Sequence, residues 1–538
     1  MLNQLVISTI RLLSRMASFK ARFRLVRALR APELTQLQLL NQLQRKLKFT
    51  TQGQVFKSSQ RLDYLSFATT VPCVSYEQIE PLVSEQIRNE NKVISPEMPR
   101  FYERTSGSGG PAKFIPYTQS YLTILSRLFL IWTDDILRSG INFRSGKTFL
   151  CVTPPLSGTK TDSQSGQVGS NTDVDYIAPW LRLIVEHFLV VPLALHAVHD
   201  VQTYRDLLSL YLLAAADLEI ISLWSPSFWP AMLDHFTEHK KRLLLHLRSG
   251  QYQTDLRLWK FAALSQERAR LLEAEVISWK DVWPQLRLIS CWSEGHASAG
   301  AEQLARMFPQ SILQGKGLLA TEAPVSLPWT PAKGCVPYLT EVFIEGEDQA
   351  DSVISPLWEW QLDHTYSVIV SLPNGLLRYR LGDLVRVTHF YEKTPVFAFV
   401  SRCGQIMDMV GEKLSEEFAV TALRQAAPDL PAVTQFAFFP VQENGISRYV
   451  FIHDYEGMDD NFGKRLEAEL SQAHHYQLAR NLGQLLPLEV GYSATWPGRY
   501  FTLAERRGQQ LGNIKVALLQ KQISSPAEIQ FLLHRGES

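Results

Sequence analysis

The chain has 538 residues, 54 Lys or Arg against 53 Asp or Glu, and a formal net charge of +1; at 45% hydrophobic and 20% charged it is ordinary globular material, which excludes wholesale disorder and argues against a dedicated nucleic-acid binder. Cys73, Cys151, Cys291, Cys335 and Cys403 stand far apart with no CxxC pair, so no disulfide framework or zinc site is written in them and a reducing, cytoplasmic setting is expected. No apolar run approaches the ~18–20 residues that span a bilayer.

Residues 1–62 hold twelve Lys/Arg and one acid, Glu33, leaving 42 basic and 52 acidic residues over the remainder, a net of −10. Within the first thirty, Leu5, Leu12, Met16, Phe19, Phe23 and Val26 recur at helical spacings, with Arg11, Arg15 and Arg22 on another face. This predicts a basic amphipathic helix. Arg11 and Arg15 interrupt what would be a signal-peptide core. Three readings fit residues 1–34: a helix docked on its own domain, a surface that touches anionic membrane through residues 1–30, or an organelle transit peptide.

Tyr121–Arg138 has helical periodicity, and Lys147–Thr153 reads as a buried strand ended by Pro154 and Pro155. The Gly/Ser-rich Ser157–Asp175 is expected to be a surface loop. Leu218–Trp224 is a strand running into Ser225-Pro226, a cap followed by proline at the first helical position. Leu286–Trp292 and Thr340–Ile344 are further strands. The alternation predicts an α/β architecture with a largely parallel central sheet. From about residue 366 the strands shorten, at Tyr366–Ser371, Leu377–Arg380, Val385–Thr388 and Val396–Ser401. A helix from Ser415, strands near Gln435–Pro440 and Tyr449–His453, and a helix over Asp459–Ala473 then predict a separate α+β domain. The expected organisation is a basic segment over 1–34, a large domain over 35–401 and a smaller one over 402–538.

Several short patterns mislead. Ser145-Gly146-Lys147-Thr148 looks like the end of a P-loop, but Gly140 is one residue too far upstream and a strand follows where a helix is needed. Gly315-Lys316-Gly317-Leu318-Leu319-Ala320 fits GxGxxA, yet Pro324 and Pro328 forbid the helix that would hold a pyrophosphate. His235-Phe236-Thr237-Glu238-His239 matches an HxxEH zinc pattern, a weak signal in a helix whose histidines can simply be solvated.

Five other segments carry more chemistry. Thr105-Ser106-Gly107-Ser108-Gly109-Gly110-Pro111-Ala112-Lys113 offers backbone N–H groups, hydroxyls and a cation, the means to cradle phosphate oxygens; alone it is equally a flexible loop. Thr321-Glu322 follows a Gly-rich strand end, where the carboxylate either ligates magnesium or is solvated. Leu376–Asp383 ends a strand with a turn and an acid, Asp383, able to accept from both hydroxyls of a ribose or merely to cap its turn. Arg402 stands among glycines at the domain joint. Lys515 ends a Gly-bounded loop and, taken singly, is a surface lysine.

Their order along the chain is the order in adenylate-forming enzymes. The segments TSGSGGPAKFIP (105–116), WSPSF (224–228), ISCWSEG (289–295), QGKGLLATE (314–322), GLLRYRLGDLVRV (375–387) and LGNIKV (511–516), with DYLSFATTVPCVSYEQIEP (63–81) upstream, resemble the auxin-responsive Gretchen Hagen family of acyl acid–amido synthetases from about residue 35 to the C-terminus. The resemblance implies a large N-terminal domain with a mobile C-terminal domain, and a ligase that activates a small carboxylic acid with ATP and Mg2+ as an acyl-adenylate, then transfers the acyl group to an amino acid. Thr105, Ser106, Gly107, Ser108, Gly109 and Gly110, with Lys113, would hold the β- and γ-phosphates. Glu322 would organise the magnesium, with Thr321 near the α-phosphate. Asp383 would bind the ribose, Arg402 assist at the hinge, Tyr338 pack on adenine, and Lys515 meet the carboxylate and α-phosphate. Where plant members carry an aromatic residue four positions before the Glu, this chain has Leu318, so base stacking must come from elsewhere. A thiol acceptor, or a non-catalytic nucleotide-binding module, are the competing expectations.

Overall fold

A computed structural model describes residues 2–50, 53, 63–89, 92–104, 113–151, 186–198, 200–402, 406–443, 446–509, 514 and 516–533. The chain opens with helices α1 (Leu2–Arg30) and α2 (Pro32–Leu47), then α3 (Tyr64–Thr70) and α4 (Tyr76–Asn89). Strands β1 (Phe101–Arg104) and β2 (Phe114–Tyr117) pair antiparallel ahead of α5 (Gln119–Arg138). The Thr118 hydroxyl caps α5 by accepting from the Tyr121 N–H, satisfying one of the helix's orphan donors.

Four strands, β3 (Lys147–Leu150), β4 (Leu218–Ser222), β7 (Leu288–Cys291) and β8 (Ile312–Gly315), form a parallel sheet in that spatial order. Between β4 and β7 the small hairpin of β5 (Gln251–Gln253) and β6 (Leu258–Lys260) lies apart. β9 (Ser326–Trp329) pairs with β10 (Gly334–Pro337). The larger sheet is antiparallel: β11 (Phe343–Asp348), β12 (Ile354–Pro356), β13 (Thr365–Ser371), β14 (Tyr379–Tyr391) and β15 (Thr394–Arg402), in the order β12-β11-β13-β14-β15. The expectation of a largely parallel central sheet thus holds only for the smaller sheet. Past residue 343 the connections are too short for crossover helices, so successive strands turn back on one another.

Some boundaries differ from the reading of the sequence. Leu377–Arg380 and Val385–Thr388 lie in and around the single strand β14, where Gly382 takes φ +81° and interrupts the local pattern. The helix expected from Ser225-Pro226 begins at Phe228 instead, after a turn in which the Phe228 N–H donates to the Ser225 carbonyl at 3.2 Å. Ser157–Asp175 falls outside the described residues.

The two misleading patterns with polar content have their own protein partners. The Glu219 carboxylate accepts from the N–H groups of Arg144, Ser145 and Gly146 at 2.7–3.0 Å, so the P-loop-like turn is filled by a buried side chain. His235 Nε2 lies 2.9 Å from Asp206 Oδ1, and Arg242 and Tyr252 converge on the same carboxylate.

After Arg402 come β16 (Ile406–Met407), β17 (Leu414–Ser415), and a sheet of β18 (Phe436–Glu443), β19 (Ile446–His453) and β20 (Glu489–Tyr492). Its side chains alternate between two cores, as the two-residue period of a strand requires. Ala437, Phe439, Val441, Val450 and Ile452 join a cluster shared with the parallel sheet and with Trp229 and Trp283. Phe438, Tyr449 and Phe451 join a separate core with Phe462 and Leu466. The helix Trp496–Arg506 packs on the helix Phe228–Glu238. Residues after 406 therefore have a core of their own and also bury one sheet face against the large lobe.

Candidate functional site

The site is set by strand register. Asp383 on β14 and Arg402 on β15 are direct cross-strand partners, and Arg402 Nε donates to Asp383 Oδ1 at 2.9 Å. Asp383 is 4% exposed. The carboxylate holds the guanidinium above its ordinary pKa, against the cost of burial, and Glu322 adds to that effect. Earlier on β14, before Gly382, is Tyr379, a buried phenol pushed up by burial and by Glu322.

Glu322 sits on the turn between β8 and β9. Gly317 opens the turn at φ +71°, and a bridge between Leu319 and Pro324 closes it. The Thr321 carbonyl at its apex accepts from the Tyr117 hydroxyl at 3.0 Å and the Tyr121 hydroxyl at 3.1 Å. Two phenols from β2 and α5 thereby fix Thr321-Glu322 relative to the large lobe. Glu322 is 3% exposed; burial pushes its carboxyl up, Arg402 and Lys113 pull it down, and Asp383 adds to the push. A buried acid between two cations and a second acid is a place where charge is concentrated without bulk water.

Lys113 closes the cluster. Its ammonium donates to the Tyr379 hydroxyl at 3.4 Å and lies over the rings of Tyr76 and Tyr379. Tyr76 is pinned in turn, its hydroxyl accepting from the Phe114 N–H at 2.7 Å. From the C-terminal lobe, Lys521 faces the same cations: partial burial, Arg402 and Lys113 lower its pKa, and Glu416 opposes them. Sequence reasoning missed Lys521, which has no motif to mark it.

Of the residues singled out in the sequence, the structure therefore brings together Lys113, Thr321, Glu322, Asp383 and Arg402. Thr105, Ser106, Gly107, Ser108, Gly109, Gly110 and Lys515 lie outside the described residues. Tyr338 is not brought to the cluster. It is wholly enclosed in the core, its hydroxyl donating to the Ile124 carbonyl at 3.4 Å, and offers no ring face to a nucleotide base. Leu318 is half-buried against that core.

One further group was hidden inside the rejected GxGxxA pattern. Lys316 leaves the C-terminal end of β8 and is 3% exposed. Its ammonium donates to Ser222 Oγ at 2.8 Å and lies 4.8 Å from the centre of the Trp132 ring and 5.0 Å from that of Trp224. Burial pushes its pKa down to about 8, with Cys291 and Cys151 opposing. Ligands of open α/β sheets bind beyond the carboxyl ends of the strands, and β4, β7 and β8 all end here.

Residues 22–313 match the GH3 family N-terminal domain and residues 340–402 the GH3 family central domain. The 4-substituted benzoates-glutamate ligase GH3.12 of Arabidopsis thaliana is 25% identical over 400 residues, 68% of each chain. The indole-3-acetic acid-amido synthetase GH3.15 of Arabidopsis thaliana is 23% identical over 401 residues, 68% of this chain and 67% of its own. Among solved structures, the GH3.15 acyl acid amido synthetase in complex with 2,4-DB superposes with a TM-score of 0.75 over 96% of both chains at 18% identity, so the whole fold is shared.

Proposed function

This chain belongs to the GH3 family, and from that premise we propose that it is an ATP-dependent ligase joining a small carboxylic acid to an amino acid. A carboxylate oxygen attacks the α-phosphorus of ATP, the bond to the bridging oxygen breaks, and pyrophosphate leaves. The amine nitrogen then attacks the acyl carbon, the carbon–oxygen bond to AMP breaks, and the ammonium proton is lost to solvent or a base.

The observation that supports this reading best is the convergence of Glu322, Asp383, Arg402 and Lys113 from four separate stretches of chain. Asp383 accepts from the ribose hydroxyls, and Arg402 both fixes that carboxylate and presents positive charge to the phosphates. Lys113 lies at the end of the Thr105–Gly110 segment that cradles the outer phosphates. Glu322, a carboxylate 3% exposed on a turn held by Tyr117 and Tyr121, offers an oxygen ligand of the kind magnesium takes and is the residue that would hold one; the ion would neutralise charge on the phosphates. Thr321 stands beside it with its carbonyl tied down. Lys515 delivers a cation to the α-phosphate, where preorganised charge lowers the barrier most.

The test supplies labelled carboxylic acids with ATP and either amino acids or coenzyme A, and identifies products by mass. An amide with pyrophosphate release is expected. A thioester in its place reassigns the acceptor, and failure of a broad acid panel to release pyrophosphate removes the catalytic reading.

A further inference from the structure

Helix α1 docks through a mixed face, part polar and part apolar. Arg22 reaches inward to Asp135 at 3.3 Å and stacks over the Trp329 ring at 4.2 Å. Arg11 donates to the Ile141 carbonyl, Thr394 and Lys393 donate to the Leu29 carbonyl, and Ser14 and Ser18 are buried. Ile7, Leu25, Ala28 and Leu29 supply the apolar share of that inner face. Four members of the apolar row read from the sequence point outward: Leu12 is 60% exposed, Met16 69%, Phe19 64% and Phe23 54%. These lie at i, i+4, i+7 and i+11, a straight stripe about 16 Å long.

A surface helix of a globular protein turns its apolar stripe to the core, so a second apolar stripe left in solvent calls for an external partner. Charge identifies the partner. Arg15, Lys20, Arg24, Arg27 and Arg30 are exposed around the stripe, and among the described residues Arg30 alone of these forms an ion pair, with Glu392. The helix carries no acid. A second copy laid against the stripe would bring the same cations face to face, which is unfavourable. A sheet of anionic headgroups over hydrocarbon complements both features.

We infer that the outward face of α1 binds an anionic lipid bilayer, with Leu12, Met16, Phe19 and Phe23 seated at the acyl boundary and the flanking cations against the headgroups. The helix lies in the membrane plane and carries the large lobe at the surface; among the described residues no helix is long and apolar enough to cross. This goes beyond the ligase reading and stands or falls separately from it.

The experiment floats the purified full chain on a density gradient with phosphatidylcholine vesicles carrying about 30% phosphatidylglycerol, and with pure phosphatidylcholine vesicles. The expected result is at least ~10-fold more protein with the anionic vesicles, released by high salt. The combined Met16→Ser, Phe19→Ser and Phe23→Ser variant removes only solvent-facing side chains; it keeps the wild-type thermal midpoint and loses flotation. No flotation with anionic vesicles, or undiminished flotation of the triple variant, overturns the assignment. A solution dimer abolished by the triple variant, with no flotation, gives the face to a second copy and equally overturns it.

Discussion

Asp383 and Arg402 stand opposite each other in the β14–β15 ladder, and the carboxylate accepts from the guanidinium at 2.9 Å. The pairing locks one Asp383 oxygen, and among the described residues the other accepts no hydrogen bond. Asp383→Ala is expected to weaken ATP binding by about 10–100-fold, the scale of a lost hydrogen bond to a charged group, and to release Arg402 from its position. Calorimetric titration with ATP checks this. Affinity equal to wild type would take Asp383 out of the site.

Lys515→Ala is expected to lower acid-dependent exchange of pyrophosphate into ATP by ~10²–10³, the cost of one preorganised donor to a developing oxyanion. Thermal stability and ATP affinity should hardly change. Exchange at the wild-type rate would show that another cation meets the α-phosphate, and Lys521, which already faces Arg402 and Lys113, would be the one to replace next.

The chemistry of this site was more legible in the sequence than its assembly. Asp383, Glu322 and Arg402 each sit in a short segment whose order along the chain is informative, so their gathering into one cluster could be expected. That Asp383 and Arg402 would pair depends on strand register, which two irregularities in the β14–β15 ladder shift and which the separate segments do not specify. Tyr338 failed for the opposite reason: a tyrosine in a loop between strands looks available, and only packing reveals that it is enclosed in the core with its hydroxyl bonded to α5. For α1, periodicity marked the apolar stripe correctly but could not say which face docks, because the partners of Arg22 are Asp134 and Asp135 on α5, far along the chain. Lys521 had no sequence signal, and Lys316 stood only inside a pattern read for a different chemistry.

Glu416 begins the helix Glu416–Ala426 and is 7% exposed. Burial pushes its pKa up to about 7, with Lys521 opposing. An acid raised on folding contributes stability that is fully present below its unfolded value, near ~4.3, and is lost as pH rises through about 7. Glu416→Gln keeps the neutral form at every pH. It is expected to flatten that part of the stability curve and to exceed wild type at pH ~8 by up to about 3 kcal/mol. Denaturant midpoints measured across this range test it; parallel curves for the two proteins would show that Glu416 titrates as an ordinary carboxylate.

Lys316 poses the reverse case, a base lowered on folding. Its pKa of about 8 lies below the ordinary amine value near ~10.4, so between those limits the unfolded chain binds the extra proton and stability rises with pH. Below about 8 the folded state holds an ammonium between Trp132 and Trp224 with Ser222 as its hydrogen-bonding partner, and the two ring faces offset part of the desolvation. Deprotonation removes a cation from both rings at once, so tryptophan emission is expected to step near pH ~8. Lys316→Met fills a similar volume without charge. It should abolish the step and raise stability at neutral pH, where the buried cation costs most. A fluorescence step that persists in Lys316→Met would belong to another group, and a loss of stability in that variant would mean the ammonium is favourably solvated where it lies.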